Sequence, residues 1–577
     1  MSEQSAQHGC CAAEEQQQQQ QQQGEQQDAV QPPALLDCSA FLHHPCIFSD
    51  AASVCRLLCT TKAVAAAVAT HLAGQLCLQY AAAHSQLTEC LELWLYRNSG
   101  MVRSLDISCT CSELHQLLQL ATLLDEHSTA VSSLDLSFEL WHNMQVAELL
   151  SSLIAQHGSK LAGLCIDFRA CAADLSGGLR AGSIEAAAAA EEMLAEALQQ
   201  AAAEAAQGLQ LRSFSSTTRT GGPLLQQLPA ASLTSLQLLA LDIAEDEAAE
   251  LQPVAAALRR LTGLQSLRIT TCYGALDSCL PALAGLTCLT CLQLDCLRQE
   301  QLLQHLPSRL QQLSLSYVPW DDEDEALEVS FDMLHLSELC SLNLQAEYHH
   351  LTLAASSRLP SSLTALTAPN VGYSSAGSAA AGSSSSSSSS CALLGLTRLQ
   401  QLSLEECSLT ADAIAEVSNA LTGLTQVQLA YTAAACSAFG VGSDELVEAA
   451  AAWALLPLVS LSFGLQCYSS HEEDAVCCER VDSASGVMLE QLAQLTGLTS
   501  LRIFAFAAPD EGSDSSADGD KESQLPVYHA AALAACLRQL PMLQSLHVVG
   551  RLVGGQQAVA ELQEAVQGLS SCGLPKQ

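Results

Sequence analysis

A chain of 577 residues is longer than one hydrophobic core usually organises, so we expect several domains or a quasi-linear array of repeats. Apolar residues make up 49% of the chain and aromatic residues only 4%, which favours an array of small, similar layers. The formal net charge of -39 excludes binding to nucleic acid or to an anionic membrane surface, because both require clustered Lys and Arg. A basic or neutral protein partner fits this charge, although acidity also serves to keep a chain in solution.

The 26 cysteines are scattered through apolar positions, where a free thiol behaves as a small hydrophobic group. The polar beginning of the chain lacks the apolar core of a secretion signal, and no Asn-x-Ser/Thr acceptor site is present. Nor is there a run of about 18 apolar residues that would cross a membrane. We therefore expect a reducing compartment, cytoplasmic or nuclear, with the cytoskeleton or the axoneme of a cilium as the alternative.

The first 33 residues contain an unbroken glutamine tract from Gln16 to Gln23 and end in two prolines. Such polar low complexity cannot offset the entropy lost on ordering, so residues 1–33 are predicted to be a disordered tail. A serine tract near residues 371–392 and an acidic stretch near 509–524 have the same character. Both are predicted to be disordered inserts within loops, because a repeat pattern resumes after each of them.

Residues 34–80 have a different pattern, with apolar positions spaced for short helices rather than for repeats. This segment resembles an F-box, the helical module by which a substrate receptor docks on the Skp1 adaptor of a cullin-type ubiquitin ligase. The resemblance implies that the docking side chains are Leu42, Pro45, Ile47, Val54, Leu57 and Leu58. The opening Leu-Pro pair and the later tryptophan of the typical motif are missing. The alternative is that these helices only cap the first layer of a repeat array.

A recurring phrase, Leu-x-x-Leu-x-Leu, dominates the rest of the chain, and we take its middle apolar residue as the marker of each repeat. Six copies are clear, with markers at Leu267, Leu292, Leu313, Leu342, Leu402 and Leu501. Weaker copies centre on Leu105, Leu134, Leu164, Leu239, Leu366, Val427, Leu461 and Leu546, with a further candidate near Leu211. Most steps between markers lie near 20 to 30 residues, which is typical of one strand and one helix per repeat.

The alternation within each phrase predicts a short strand with one buried face. Helices are predicted between the strands, for example after Leu404, where apolar residues return every three to four positions. An Ala- and Glu-rich segment from Ile184 to Ala206 predicts one extended helix. A unit of this kind cannot bury its apolar side alone, so the units must stack on one another.

This pattern resembles the leucine-rich-repeat proteins over residues 101 to about 570. Cys407, three residues after Leu404, and Cys272, three residues after Ile269, resemble the cysteine-containing, ribonuclease-inhibitor-like subclass. The resemblance implies an α/β solenoid over residues 81–570, a horseshoe or arc with parallel strands on its concave face and helices on its convex face.

Partners of such solenoids usually bind the concave face, where the residues that flank each marker point. The candidate binding residues on this face are Asp106, Asp135, Arg268, Gln293, Ser314, Asn343, Ser403, Gln428, Arg502 and His547. The row is mostly small and polar and lacks the Trp, Tyr and Arg density of a strong hot spot. Its residues are therefore also explained as ordinary solvent-facing strand positions.

Motifs for catalysis or metal binding are weak. The acidic run 321–325 is typical of a solvated loop, and the acidic residues 514–520 lack the glutamate that ends a calcium loop. Cys288 and Cys291 form a lone Cys-x-x-Cys pair without a second pair at zinc spacing. We therefore expect no enzymatic activity, no metal and no cofactor.

Two functions remain open from the sequence. The first is the substrate-recognition subunit of an SCF-type ubiquitin ligase, in which residues 34–80 dock a Skp1-like adaptor and the repeats hold a target protein. The second is a non-catalytic scaffold or adaptor of the cytoskeleton, a cilium or a signalling complex.

Overall fold

The structure is a computed structural model. It describes residues 76–82, 102–110, 133–139, 144–167, 181–205, 208–216, 222–241, 251–271, 279–297, 300–317, 327–346, 351–374, 390–407, 409, 411–432, 450–467, 487–507, 527–549 and 551–574. The chain divides into two compact units. The first comprises residues 1–138 and 160–162, and the second comprises residues 139–159 and 163–577.

The first unit contains three described strands: β1 (Leu76–Ala82), β2 (Val102–Thr110) and β3 (Ser133–Glu139). Strands β1 and β2 are parallel, and Leu78 is the register partner of the marker Leu105. Strand β1 lies across the predicted boundary between the F-box-like segment, residues 34–80, and the solenoid, residues 81–570. The sequence obscures this first strand because its phrase reads Leu-Cys-Leu-Gln-Tyr and lacks the usual leading leucine.

The strands of the second unit are short. They are β4 (Leu161–Asp167), β5 (Ser213–Ser216), β6 (Ser235–Leu241), β7 (Ser266–Thr271), β8 (Cys291–Leu297), β9 (Gln312–Tyr317), β10 (Leu327–Val329), β11 (Ser341–Ala346), β12 (Leu351–Leu353), β13 (Ala365–Ala368), β14 (Asn370–Val371), β15 (Tyr373–Ser374), β16 (Ser390–Cys391), β17 (Gln401–Cys407), β18 (Gln426–Thr432), β19 (Ser460–Cys467), β20 (Ser500–Ala507), β21 (Val527–His529), β22 (Ser545–Val548), β23 (Arg551–Val553) and β24 (Ser571–Gly573).

Helices lie between successive strands in several repeats. They are α1 (Met144–His157), α2 (Ala181–Glu204), α3 (Gly222–Gln227), α4 (Leu251–Arg260), α5 (Leu280–Leu283), α6 (Ala411–Ala420), α7 (Ala530–Arg538) and α8 (Gln556–Val566). Helix α2 confirms the extended helix predicted from Ile184, and α6 confirms the helix predicted after Leu404. No described helix is long and apolar enough to cross a membrane.

One parallel ladder of fourteen strands runs through the second unit. Each strand pairs with the ladder strand that comes next in the chain, in the order β4 to β9, then β11, β13, β17 to β20, β22 and β24. A long parallel ladder with one intervening segment per step is the arrangement expected of a leucine-rich-repeat solenoid.

The register of the ladder aligns the predicted markers in a single column. Leu267, Leu292, Leu313, Leu342 and Leu366 are successive Cα partners. The column continues through Leu402, Val427, Leu461, Leu501 and Leu546. All of these side chains are at most 5% exposed. Burying each leucine contributes roughly 1.5 to 3 kcal/mol, so the stacked column is a continuous source of stability.

The ladder corrects two markers. Leu236, not Leu239, pairs with Leu267, and the preceding marker is Phe214, with Leu211 three positions before it. The run Ser-Leu-Gln-Leu-Leu-Ala-Leu offers leucines in both strand frames, so the phrase alone does not decide between them. Burial decides, since Leu236 and Leu238 are at most 1% exposed whereas Leu239 is only half-buried.

In three successive repeats the element opposite the ladder is a strand rather than a helix. Strands β10, β12 and β14 form a second, small parallel sheet. Its sequence alternates with period two: Leu351 and Leu353 are buried and Thr352 between them is half-buried. Ser357 links the segments that follow β10 and β12, because its Oγ accepts a hydrogen bond from the Phe331 amide at 3.1 Å. The helical period needed for a convex helix is absent here.

The serine-rich insert is bracketed by an antiparallel pair, β15 and β16, in which Tyr373 faces Cys391. Residues 375–389 between them lie outside the described part of the chain. The predicted insert at 371–392 therefore has regular structure at both of its ends. The acidic insert predicted at 509–524 lies outside the described residues.

Candidate protein-interaction surface

The residue that follows each marker lies on the face of the ladder opposite the buried leucine column. In the second unit these residues are consecutive register partners, and we call them the ladder row. Its members are Cys165, Ser215, Gln237, Arg268, Gln293, Ser314, Asn343, Thr367, Ser403, Gln428, Ser462, Arg502, His547 and Gly573. The eight candidates predicted from Arg268 to His547 all belong to it.

The sequence prediction omitted Cys165, Ser215, Gln237, Thr367, Ser462 and Gly573 from this row. Ser215 and Gln237 were missed because the markers before them were assigned to the wrong residues. Thr367 and Ser462 follow the weaker markers Leu366 and Leu461, so the rule of one residue after each marker finds them once the register is known.

Two other candidates, Asp106 on β2 and Asp135 on β3, belong to the first unit. Asp106 is the register partner of Gln79. Their side chains are outside the described part of the structure, as are all six candidate Skp1-docking residues, Leu42, Pro45, Ile47, Val54, Leu57 and Leu58. The acidic runs 321–325 and 514–520 also lie outside it.

The exposure of the side chain differs from one member of the ladder row to the next. Arg268, Gln428, Arg502 and His547 are exposed, while shorter side chains such as Ser403 are half-buried between their neighbours. From Cys165 to His547, each row residue stands between two buried residues of its own strand, so the backbone fixes its direction. The row therefore presents polar groups at regular spacing without contributing to the leucine core.

Two neighbouring members of the row are linked directly. The Nδ2 atom of Asn343 donates a hydrogen bond of 3.1 Å to the Oγ atom of Ser314 on the adjacent strand. Since Ser314 and Asn343 are register partners, this bond restrains both side chains at the middle of the row. Restrained polar side chains lose less conformational entropy on binding than mobile ones do.

Gly573 on the last strand of the ladder lies close to the imidazole of His547. A Cβ atom added to Gly573 would meet the Nδ1 atom of that imidazole at 2.5 Å. His547 therefore lies against the backbone of β24, and its exposed side chain would have to move to accommodate a Cβ atom at residue 573.

Hydrogen bonds in the turns before the strands hold successive units in register. In the turn before β20, the Thr499 amide, hydroxyl and following Ser500 amide all donate to the Val459 carbonyl, at 2.8, 3.1 and 3.2 Å. Thr425 repeats this pattern on the Gln400 carbonyl, and Thr290 repeats it on that of Gln265. These turns therefore place the row residues at a constant offset from one repeat to the next.

The described cysteines have the character of core thiols or isolated surface thiols. Burial raises the pKa of the Cys536 thiol to about 12 and also raises the pKa of Cys391. Such groups stay protonated and are poor nucleophiles. Cys288 and Cys291 are free thiols in the turn before β8 and at its start. Among the described residues no group of three His, Cys, Asp or Glu side chains is arranged to hold a metal ion.

No protein-family model and no curated protein matches the sequence. Among solved structures, the chain is similar to an internalin, InlF, of Listeria monocytogenes, with 14% identity and a TM-score of 0.34 over 80% of this chain and 94% of that one. It is also similar to a chain of the yeast Rad7–Elc1 complex, with 14% identity and a TM-score of 0.26 over 80% of this chain and 98% of that one. The register of the buried leucine column identifies the fold as a leucine-rich-repeat solenoid.

Proposed function

We propose that this protein is a non-catalytic binding platform whose ladder row holds a protein partner, and that it serves as the substrate-recognition subunit of an SCF-type ubiquitin ligase. The observation that carries the platform is the row itself. Fourteen consecutive register positions share one face of the ladder, and none of them belongs to the leucine core. The leucine-rich-repeat fold is a protein-interaction fold, which supports the same conclusion.

The dimensions of the row support an extended partner. Neighbouring strands lie about 4.8 Å apart, so thirteen steps from Cys165 to Gly573 present polar groups along roughly 60 Å. A partner of standard interface size buries about 800 Å² on each side. Exposed Arg268, Gln428 and Arg502 provide long side chains at intervals along this length, with small residues between them.

The ligase assignment rests on the F-box-like pattern of residues 34–80. In that proposal the adaptor binds Leu42, Pro45, Ile47, Val54, Leu57 and Leu58, and the ladder row presents the substrate. A receptor of this kind acts in the cytoplasm or nucleus. The cysteine-containing repeat subclass, indicated by Cys407 and Cys272, is part of the same proposal.

Binding of the full chain to purified Skp1 tests the ligase assignment. The wild-type chain is expected to bind Skp1 with a dissociation constant in the micromolar range or tighter. The variant Pro45→Ala, Ile47→Ala, Leu57→Ala is expected to lose this binding. A control variant, Leu36→Ala with Val68→Ala, changes apolar residues of the same region and is expected to bind normally. Circular dichroism must show that both variants are folded. A folded wild-type chain that fails to bind Skp1 rules out the assignment.

The second candidate is a scaffold or adaptor without a ligase role, of the cytoskeleton, a cilium or a signalling complex. Strand β1 favours this candidate because it begins at Leu76, within the last residues of the F-box-like segment 34–80. A solenoid needs a cap beside its first strands, and residues 34–75 are the chain available for it at that end. In this case the triple alanine variant is expected to unfold at a lower temperature than the wild type, and neither protein is expected to bind Skp1.

A further inference from the structure

In the second unit, few carboxylates lie in the segments that precede the markers of the ladder strands. We define the lead-in segments as the six residues before each marker, from the unit of Phe214 to that of Cys572. They are residues 208–213, 230–235, 261–266, 286–291, 307–312, 336–341, 360–365, 396–401, 421–426, 455–460, 495–500, 540–545 and 566–571. Together these segments carry three arginines, Arg212, Arg309 and Arg398, and a single carboxylate, Glu338.

The ladder row beside these segments shows the same bias. From Cys165 to Gly573 it carries Arg268, Arg502 and His547 and no carboxylate. The whole chain has 61 acidic and 22 basic residues, so a surface of this length would ordinarily contain several carboxylates. Asp295, two positions beyond the row on β8, is the single acidic residue among the ladder-strand residues whose side chains are described. The row and the lead-in segments are thus poor in carboxylates, although β4 and β17 also carry Asp167, Glu405 and Glu406 beyond the row.

We infer that the ladder row and the lead-in segments form one surface that binds an extended acidic protein segment. This inference rests on the proposed platform function and names the class of partner. A cationic partner would gain from each carboxylate on the surface, yet carboxylates are absent from nearly every position. An anionic partner is repelled by each carboxylate and attracted by Arg268 and Arg502, which matches the distribution found.

The overall charge of -39 does not prevent such binding. At an ionic strength of 0.15 M the Debye length is about 8 Å, so carboxylates farther away are largely screened. A segment that lies on the row interacts mainly with charges within that distance. The charges of the row and the lead-in segments, five arginines and Glu338, together with Asp295 two positions beyond the row, therefore dominate the interaction once the partner is in contact.

The spacing of the arginines sets a minimum length for the partner. Eight strand steps separate Arg268 on β7 from Arg502 on β20. At about 4.8 Å per step this is on the order of 40 Å, which an extended chain covers with about 12 residues. The amides and hydroxyls between the arginines, including those of Gln293, Asn343 and Gln428, are suited to hydrogen-bond an extended backbone.

Fluorescence anisotropy of the full chain at 0.15 M salt tests the inference. The probes are a labelled 13-residue peptide of alternating Glu and Ser, the same peptide with Gln for Glu, and a Glu-Ser peptide of six residues. The long acidic probe is expected to bind at least about tenfold more tightly than the other two, because only it carries charge to both arginines.

Variants locate the binding surface. Arg268→Gln combined with Arg502→Gln is expected to weaken the acidic probe by about tenfold. The control Arg259→Gln removes an equally exposed arginine from the last turn of helix α4, outside the row and the lead-in segments, and is expected to change binding less than twofold. Circular dichroism and an unchanged unfolding temperature must accompany both variants.

Three outcomes overturn the inference: no binding of the long acidic probe to the folded chain, equal binding of the Gln-Ser probe, or equal losses in the double variant and the Arg259 control. Skp1 binding is measured on the same preparations. Because Skp1 docking is proposed for residues 34–80, it is expected to be unchanged in Arg268→Gln, Arg502→Gln. A failure of the acidic-segment inference is thereby separated from a failure of the ligase assignment.

Discussion

At the scale of single residues, the two faces of each strand have very different energetic weight. Leu292 of the marker column is completely buried, whereas Gln293 beside it is half-buried on the ladder row. We expect Leu292→Ala to lower the free energy of unfolding by about 2 to 5 kcal/mol, through lost burial and a cavity. Gln293→Ala is expected to cost less than about 0.5 kcal/mol. Urea unfolding followed by circular dichroism compares them, and equal losses would contradict the register.

The buried Cys536 thiol is expected to make the free energy of unfolding decrease as the pH becomes alkaline. Burial raises the pKa of this thiol from an ordinary value of 9.0 to about 12, so the folded state holds the proton more tightly than the unfolded state. The associated stability is complete below pH 9 and is lost as the pH rises toward 12. The unfolding midpoint is therefore expected to fall less steeply between pH 9 and 11 in Cys536→Ala than in the wild type. Cys288→Ala, which removes an exposed thiol, is expected to keep the wild-type slope.

At the scale of elements, helices α1 and α2 pack closely where the chain leaves α1. A Cβ atom added to Gly158 would overlap the Cβ atom of Ala201, whose side chain is 2% exposed. Gly158→Ala is therefore expected to destabilise the protein by roughly 1 to 3 kcal/mol. Ala201→Gly alone costs about 1 kcal/mol because glycine weakens a helix interior.

Combining Gly158→Ala with Ala201→Gly provides the decisive comparison for this contact. The double variant removes the overlapping methyl group, so its loss of stability is expected to be smaller than the sum of the single losses. Thermal unfolding of the four proteins gives the coupling energy. Additive losses would mean that the two residues do not limit the approach of the helices.

At the scale of the whole molecule, the ladder gives stability a local character. Each repeat of the second unit pairs mainly with its two neighbours, so a defect is expected to spread over adjacent units before it reaches distant ones. In Leu292→Ala, hydrogen exchange is expected to accelerate most in β7, β8 and β9 and least in β20. Mass spectrometry of peptic peptides measures this gradient. Uniform acceleration across the described strands would indicate a single cooperative unit instead.

The agreement between sequence and structure is uneven, for a physical reason. A phrase such as Leu-Thr-Gly-Leu-Gln-Ser-Leu-Arg-Ile places apolar residues in one strand frame only, so Leu267 and its neighbours could be assigned from the residues. The run around Leu236 fits two frames, and only pairing with β7 distinguishes them. The antiparallel pair β15 and β16 had no local signal, because two-residue strands are specified by their partners.

The sequence by itself determined the repeat architecture and the row after the markers, because a strand with period two must bury its leucines and turn the intervening residues outward. It also determined the total charge. Only the tertiary structure decided the register of the ambiguous units, the second sheet of β10, β12 and β14, and the low carboxylate content of the ladder row and its lead-in segments. These features depend on which residues become neighbours between repeats, and that is a property of stacked units that no single repeat contains.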